Sequence, residues 1–505
     1  MNSKKQILLG TVISYIQGIL SALIGIIFIP ILLNCLSDSE YAVYQFMSSF
    51  YSIFLIDCGL TATITRTYAK YEALDDKSKR DNIMNMSCVI YSIIIFFILL
   101  LCIIIYFTMD GVFPSFSSDE IASSRKILVV IGINSVIVII SNLCLAVIQA
   151  KEKFIYIKTV LLARTVILPL VAVVLLTQSG KAISYYTAQL ILSVLVLVLY
   201  LLYCLKNFSV RINFKCFDTD LLKEICGFAV FLFLNQIVDE FYWRTDSLIL
   251  GAVSGSFYVA LNGTASIIVT QYRSFSSLIH GMFLPHLTKQ LLKDSNDMEQ
   301  VNFLFRKISK IQYFIVALIF TGFMIFGKSF IALWAGDVYK DAYILALIPM
   351  AALIIPLTQN FAISVLRAVD RQKFRTVFLL ASAVLNFSVS IPAAMKWNAL
   401  GVNWVTAIFL LFGNAVVMNI YYHKVIHLDI KGYWHDLLKL FIPTLICVAA
   451  GFLLHSAASF NVSWRSLFVQ ITVYMVIYML IMFLFGTDKI EKQELRKLLN
   501  RVTKR

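Results

Sequence analysis

The chain consists of long apolar runs that contain no Asp, Glu, Lys or Arg and are separated by short polar segments. A helix needs about 20 mostly apolar residues to cross roughly 30 Å of hydrocarbon. Ten runs have about this length, and four shorter ones reach it when one or two charges near an end are admitted. No period-two alternation appears, and open strands cannot cross lipid with unpaired backbone groups. The pattern predicts fourteen transmembrane helices that extend past some of the charges ending these runs. The runs are 6–37, 41–56, 82–109, 127–150, 165–180, 182–205, 225–238, 247–272, 311–327, 342–366, 376–395, 397–423, 440–464 and 466–487.

Composition excludes a water-soluble fold. Apolar residues make up 60% of the 505 residues, charged residues make up 14%, and the mean hydropathy is +0.84. A soluble domain is about one quarter charged. Of the nine cysteines, most lie within apolar runs and none forms a CxxC pair, so no disulfide framework is predicted.

The excess of basic residues follows the predicted topology. The chain carries 43 Lys and Arg against 28 Asp and Glu, which gives a net charge of +15. With the N-terminus in the cytoplasm, 33 basic residues fall on the cytoplasmic face, six on the opposite face and four within spans. Membrane proteins show this asymmetry as the positive-inside rule. It predicts cytoplasmic N- and C-termini, and it explains the basic charge without nucleic-acid binding.

A faint internal repeat relates two sets of six predicted helices. Residues 140–154 resemble residues 357–374, and Ala150 and Ala368 in these segments are 218 positions apart. Because the offset covers six spans, an even number, the two copies have parallel topology. Two facing six-helix lobes favour a transporter that opens a central site to each side in turn. The expected parts are an N-lobe at 1–205, a C-lobe at 224–423, two appended helices at 437–485 and a basic cytoplasmic tail at 486–505.

Three arginines within predicted spans are the main functional candidates. An ionisable side chain in hydrocarbon costs about 3 kcal/mol or more, so its presence requires a reason. Arg164 lies about two turns into the fifth span, Arg273 lies deep in the eighth, and Arg244 lies in the outer part of the seventh. If Arg164 and Arg273 face one cavity, they favour an anionic cargo, because guanidinium groups bind phosphate oxygens in a bidentate manner. The alternative is that these side chains extend to the headgroups at the membrane surface.

Acidic residues in or near the predicted spans are few. Glu240 is four residues before Arg244, a spacing that allows the two to pair on one helix face. Glu240 and Asp239, with Asp57 and Asp246, are the acids placed to sense a proton or sodium gradient. The histidines lack the spacing of a zinc site and no phosphate-binding glycine-rich loop is present. We therefore expect no metal, no cofactor and no ATP hydrolysis by a P-loop mechanism.

Two segments resemble those of bacterial polysaccharide exporters. Residues 57–69, DCGLTATITRTYA, are similar to the D-x-G-L-x-x-x-I-x-R-x-x-A stretch that ends the second helix in that family, although Cys58 stands where an aromatic residue is usual. Residues 244–251, RTDSLILG, resemble the signature of the seventh helix. The family is the O-antigen flippase (Wzx-type) branch of the multidrug/oligosaccharidyl-lipid/polysaccharide exporter superfamily. The resemblance implies an all-α, MATE-like membrane fold with a V-shaped pair of lobes.

The resemblance implies a transporter and not an enzyme. The expected cargo is an undecaprenyl-diphosphate-linked oligosaccharide, such as an O-antigen unit of lipopolysaccharide. It would move from the cytoplasmic to the periplasmic leaflet of the bacterial inner membrane. The implied cationic cavity has Arg164, Arg273, Arg244 and Arg66 as its candidates. Expected partners are membrane lipids, a polysaccharide polymerase and a chain-length regulator, with no nucleic acid.

Three other functions remain as alternatives. A multidrug antiporter of the same fold would carry organic cations and would need acids facing its cavity. A peptidoglycan-precursor flippase would work by nearly identical physics. A membrane polysaccharide polymerase, an enzyme, is disfavoured because such proteins have a large periplasmic loop. The longest predicted outer loop here, about 108–126, has fewer than 20 residues.

Overall fold

The computed structural model describes residues 3–208, 219–293, 298–369, 371–457 and 463–487. In these ranges the chain forms helices and turns without strands, which confirms the predicted all-α fold. Most of the predicted basic tail lies outside the described residues. The helices are α1 (Ser3–Cys35), α2 (Asp38–Phe54), α3 (Leu60–Ala73), α4 (Lys77–Val112), α5 (Ser118–Ala150), α6 (Phe154–Ser179), α7 (Ile183–Asn207), α8 (Thr219–Trp243), α9 (Thr245–Val253), α10 (Ser256–Lys293), α11 (Met298–Ala335), α12 (Ala342–Thr358), α13 (Asn360–Ala368), α14 (Gln372–Leu411), α15 (Asn419–Lys424), α16 (Ile430–Ala457) and α17 (Trp464–Phe485).

Ten helical stretches in the described ranges are long and apolar enough to cross a membrane. An eleventh results when α12 and α13, which meet at a bend of 46°, are counted as one span. The predicted fourteen spans are consistent with this count, because α2 with α3, α10, and the second half of the 53-residue stretch Gln372–Lys424 also lie at predicted spans. The exact number stays a prediction.

Large apolar side chains cover the outside of the helices. On α4, Phe97 is 61% exposed and Phe107 is 74% exposed, and similar residues occur on α7 and α17. A soluble protein rarely exposes apolar surface on this scale, because the contact with water is unfavourable. These surfaces agree with a multi-pass membrane protein whose outer helix faces contact lipid.

The predicted limits of the eighth span are wrong. The uncharged run 247–272 predicts one helix, but α9 ends at Val253 and α10 begins at Ser256. The chain turns at Gly255, whose φ of +101° lies in a region that glycine enters without steric cost. A search for charges misses this turn because its residues are uncharged.

The helix ends confirm the internal repeat. Helix ends and turns recur with a separation of 218 positions, the offset predicted from Ala150 and Ala368. Even an unusual backbone conformation recurs, since Gly180 and Asn398 have φ angles of +63° and +49° at equivalent turns. Other pairs with this separation are Cys35 and Val253, Asp38 and Ser256, and Phe154 and Gln372.

The chain divides into two compact units. The first contains Met1–Gly263 and Lys373–Val405, and the second contains Thr264–Gln372 and Thr406–Arg505. Within the first unit α1 packs on α6, α5 packs on α7 and α2, and α8 packs on α3. Within the second unit α11 packs on α12, α16 and α17. The predicted division into lobes, appended helices and tail stays a prediction.

Candidate functional site

Arg164 extends from α6 to α7 in the first unit. Its Nη2 donates hydrogen bonds to Gln189 Oε1 at 3.1 Å and to Ser193 Oγ at 3.3 Å. Gln189 and Ser193 are buried, at 7% and 2% exposure, whereas Arg164 is partly exposed. The guanidinium group therefore lies between helices. Extension of this side chain to the headgroups, the alternative raised by the sequence, stays a prediction.

Two more polar side chains join these residues. Tyr51 of α2 donates a hydrogen bond to Gln189 Oε1 at 3.2 Å, and Asn134 of α5 donates one to the Tyr51 hydroxyl at 3.4 Å. We call Arg164, Gln189, Ser193, Tyr51 and Asn134 the Arg164 cluster. Four helices contribute to it: α2, α5, α6 and α7.

The Arg164 cluster carries a positive charge that is not neutralised within it. The hydrogen-bond partners of Arg164 are neutral, and no carboxylate in the described part of the chain forms an ion pair with Arg164. A guanidinium group is permanently charged, and a partly desolvated charge is costly without a counter-charge. The arrangement therefore favours an anionic ligand such as phosphate.

Arg244 lies at the break between α8 and α9. Its Nε is 3.9 Å from Glu240 Oε2, so the predicted pair of residues four apart is present. Glu240 also accepts a hydrogen bond from the Ser52 hydroxyl of α2 at 3.1 Å. Since Glu240 partly neutralises Arg244, this arginine attracts an anion less strongly than Arg164 does.

Asp57 lies at the break between α2 and α3 and accepts hydrogen bonds from the start of α3. Its Oδ1 accepts from the backbone N–H of Gly59 at 2.9 Å, and its Oδ2 accepts from the N–H of Thr61 at 3.3 Å. Oδ1 also accepts from Gln236 Nε2 of α8 at 2.9 Å. A carboxylate is stabilised at a helix N-terminus by such donors. Asp57 thus stabilises the break and ties α3 to α8, while its role in ion coupling stays a prediction.

The remaining predicted residues lie on several elements. Arg66 is exposed on α3, Asp239 is exposed near the end of α8, and Asp246 lies in the first turn of α9. Arg273 is partly exposed on α10 and belongs to the second unit, whereas the Arg164 cluster belongs to the first. A shared function of Arg164 and Arg273 therefore stays a prediction.

Ion pairs join the ends of several helices on the predicted cytoplasmic side. Arg80 and Lys151 both donate to the Glu72 carboxylate, and Lys70 Nζ is 2.7 Å from Glu224 Oε1. Burial raises the pKa of Glu72, but the hydrogen bonds from Lys151 and Arg80 outweigh it and hold the pKa below the usual range of a carboxyl. These residues stabilise the ionised form of Glu72 and connect α3, α4 and the end of α5.

Sequence reasoning found Arg164 but missed its partners. Tyr51, Asn134, Gln189 and Ser193 are uncharged, so a search for ionisable residues within spans does not detect them. The sequence does contain a signal for these residues: an amide or hydroxyl side chain inside a membrane span requires a hydrogen-bond partner, so its presence there indicates a polar contact between helices. Which of the many polar residues in spans meet at one place depends on helix packing.

The family model of polysaccharide biosynthesis proteins matches residues 7–290, more than half of the chain. The chain belongs to this family. Comparison with curated protein sequences finds none that matches. In this polysaccharide biosynthesis protein the matched region contains the whole Arg164 cluster, Asp57 and Arg244.

Three solved structures with the same fold are a flippase and two multidrug transporters. The lipid II flippase MurJ in an inward closed conformation aligns with a TM-score of 0.70 at 15% identity, covering 95% of this chain and 98% of the other. A multidrug resistance MATE family transporter of the MOP superfamily, facing inward, gives 0.62 at 14% identity, with 81% and 96% covered. The MATE multidrug transporter DinF-BH gives 0.56 at 15% identity, with 86% and 96% covered. The expected MATE-like fold is confirmed.

Proposed function

We propose that the protein flips an undecaprenyl-diphosphate-linked oligosaccharide from the cytoplasmic to the periplasmic leaflet of the bacterial inner membrane. Membership of the polysaccharide biosynthesis protein family supports a glycan cargo, and the fold of MurJ and MATE transporters supports movement across a membrane. The observation that carries the proposal is Arg164, a partly exposed arginine of α6 that donates hydrogen bonds to neutral side chains of α7. Such a charge offsets part of the cost of removing a diphosphate from water.

In the proposed cycle, the diphosphate and sugars enter a cationic cavity while the polyprenyl chain stays in lipid. Arg164, Arg273, Arg244 and Arg66 offset the cost of removing water from the diphosphate. Alternating access then exposes the headgroup to the other side. A proton or sodium gradient resets the protein through one of the acids near the broken helices α2–α3 and α8–α9.

The proposal is tested by removing the charge of two arginines. Arg164→Gln and Arg273→Gln, each expressed in cells that lack the chromosomal copy, should strongly reduce surface polysaccharide while the amount of protein in the membrane stays normal. The matched control is Lys340→Gln, which removes a charge from an exposed position between α11 and α12 and should leave polysaccharide unchanged. Normal polysaccharide in both arginine variants would contradict the assignment of the site.

A multidrug antiporter is the second candidate, because two of the three solved structures described above are MATE transporters. Such a protein would use acids such as Glu240 to bind organic cations. It predicts that overexpression increases resistance to cationic dyes and that Glu240→Gln abolishes this effect. The flippase proposal predicts no change in dye resistance.

A further inference from the structure

The Arg164 cluster is present in one copy of the internal repeat and is replaced in the other. The repeat offset of 218 positions, fixed by helix ends, assigns an equivalent to each cluster residue. Four of the five equivalents are apolar, so the shared fold does not require polar side chains at these positions. The equivalents of Arg164, Tyr51, Asn134, Gln189 and Ser193 are Ser382, Val269, Ala352, Ala407 and Leu411.

Two buried polar atoms, one on Asn134 of the cluster and one on Tyr200, add to this contrast. Asn134 is 1% exposed and Tyr200 of α7 is 2% exposed. Within the described residues, Asn134 Oδ1 and the Tyr200 hydroxyl have no hydrogen-bond partner. Leaving such a group without a partner costs about 1–3 kcal/mol. The other copy of the repeat has Ala352 and Met418 at the equivalent positions. The shared fold therefore forms without a polar side chain there, and it does not explain the polar atoms of Asn134 and Tyr200.

The Arg164 cluster offers charged donors suited to a phosphate group and neutral polar groups suited to a sugar. Gln189 and Ser193 both bind Nη2 of Arg164 and so orient the guanidinium group. A guanidinium group carries further N–H donors on Nε and Nη1, and these suit phosphate oxygens. The amides of Asn134 and Gln189 and the hydroxyl of Tyr51 are neutral donors and acceptors, which is the chemistry that hydroxyl and acetamido groups of a sugar require. Gln189 Nε2 already donates one hydrogen bond to the Tyr185 hydroxyl at 3.0 Å, which leaves its second N–H for a sugar.

We propose that the Arg164 cluster is a specificity subsite for the sugar attached directly to the lipid diphosphate. Arg164 binds the phosphate, while Asn134, Gln189 and Tyr51 bind the polar groups of the adjacent sugar ring. Arg164 and Tyr51 are partly exposed, so the cluster is accessible from their side. This inference rests on the proposed function and adds the part of the cargo that is recognised and the residues that recognise it.

The test measures binding of defined lipids to the purified full-length protein in detergent. The probes are undecaprenyl diphosphate alone and the same lipid carrying N-acetylglucosamine, galactose or glucose. The wild type should bind at least one sugar-bearing probe about tenfold more tightly than the bare diphosphate, which corresponds to ~1.4 kcal/mol or one to two hydrogen bonds. Asn134→Leu should remove this preference and leave the Kd of the bare diphosphate unchanged. Gln189→Leu should remove the preference and also weaken binding of the bare diphosphate, because Gln189 orients Arg164. Arg164→Gln should weaken binding of every probe.

Two controls separate recognition from folding. Gln470→Leu replaces another buried glutamine, on α17, and should keep the wild-type preference. Tyr51→Phe removes only a hydroxyl, so it should fold normally and still lower the preference. If Asn134→Leu, Gln189→Leu and Tyr51→Phe all keep the wild-type preference, or if the wild type has no preference, the subsite proposal is overturned. If the wild type binds undecaprenyl diphosphate no better than undecaprenol, the proposed flippase function itself fails.

Discussion

Gly59, at the break between α2 and α3, is the position where a single added methyl group should disturb the structure most clearly. Its φ is +69°, and an added Cβ would lie 2.3 Å from Cβ of Leu232 on α8. Real Cβ contacts are much longer, and the atom in the way belongs to the base of a side chain that cannot rotate away. Gly59→Ala therefore requires α3 and α8 to move apart.

The expected cost combines two effects. A side chain in the left-handed region costs about 1–2 kcal/mol. Inserting a carbon into a well-packed contact costs about 1–3 kcal/mol. We expect Gly59→Ala to lower the free energy of unfolding by about 3 kcal/mol in total. Gly59→Asn separates the two effects, because asparagine tolerates a positive φ but still crowds Leu232, and we expect it to cost about 2 kcal/mol.

The free energy of unfolding can be measured by titrating the purified protein in mixed micelles with a denaturing detergent and following tryptophan fluorescence, since the chain contains six Trp residues. The matched control is Gly227→Ala on α8, where no atom lies within 4 Å of an added Cβ. That change should stabilise the helix by about 0.5–1 kcal/mol. If Gly59→Ala changes stability by no more than the control does, the close contact between the start of α3 and α8 does not exist and the reasoning is refuted.

Three further predictions concern stability. Glu72→Gln should cost about 1 kcal/mol at neutral pH. Burial raises the pKa of Glu72 in the folded protein, but the hydrogen bonds from its basic partners outweigh burial and lower the pKa overall. The ionised Glu72 therefore contributes its full share of stability above about pH 4.3, and this stability is lost as the pH falls through the folded pKa. Asp436→Asn should cost about 2 kcal/mol, because the buried Asp436 carboxylate accepts from Arg306 Nε at 2.8 Å and Nη2 at 3.0 Å. Tyr474→Phe should cost about 1 kcal/mol by removing the 2.7 Å hydrogen bond to the Thr321 hydroxyl. Unfolding of each variant across a range of pH measures all three.

Each of these predictions has an outcome that contradicts it. For Glu72→Gln it is a stability difference from the wild type that stays constant when the pH falls below the usual carboxyl range. For Asp436→Asn it is wild-type stability, or an equal loss in the control Lys431→Gln, which changes an exposed basic residue at the start of α16 and should leave stability unchanged. For Tyr474→Phe it is an unfolding curve identical to that of the wild type, which would mean that another group satisfies the Thr321 hydroxyl equally well.

The pattern of charge and hydropathy predicts where the spans lie but not where a helix breaks within a span. The pattern places spans at α2 and at α8, because long apolar runs are visible in any sequence, but it assigns most of α9 to the next span. It does not show that α2 ends at Phe54 and that α3 begins at Leu60, since this break depends on Asp57 accepting hydrogen bonds from the N-terminus of α3 and from Gln236 of α8. Gln236 is distant in sequence, so only the folded chain brings it to Asp57.

The sequence by itself determined the helical membrane fold, the internal repeat and the choice of Arg164 as a candidate, because hydrophobic length, charge asymmetry and a charge within a span are local properties of the chain. Tertiary structure alone decided which neutral side chains surround Arg164, since Tyr51, Asn134 and Gln189 come from three helices whose rotation and contact are set by packing. Hydrogen bonding acts over about 3 Å, and sequence distance does not reveal which groups come that close.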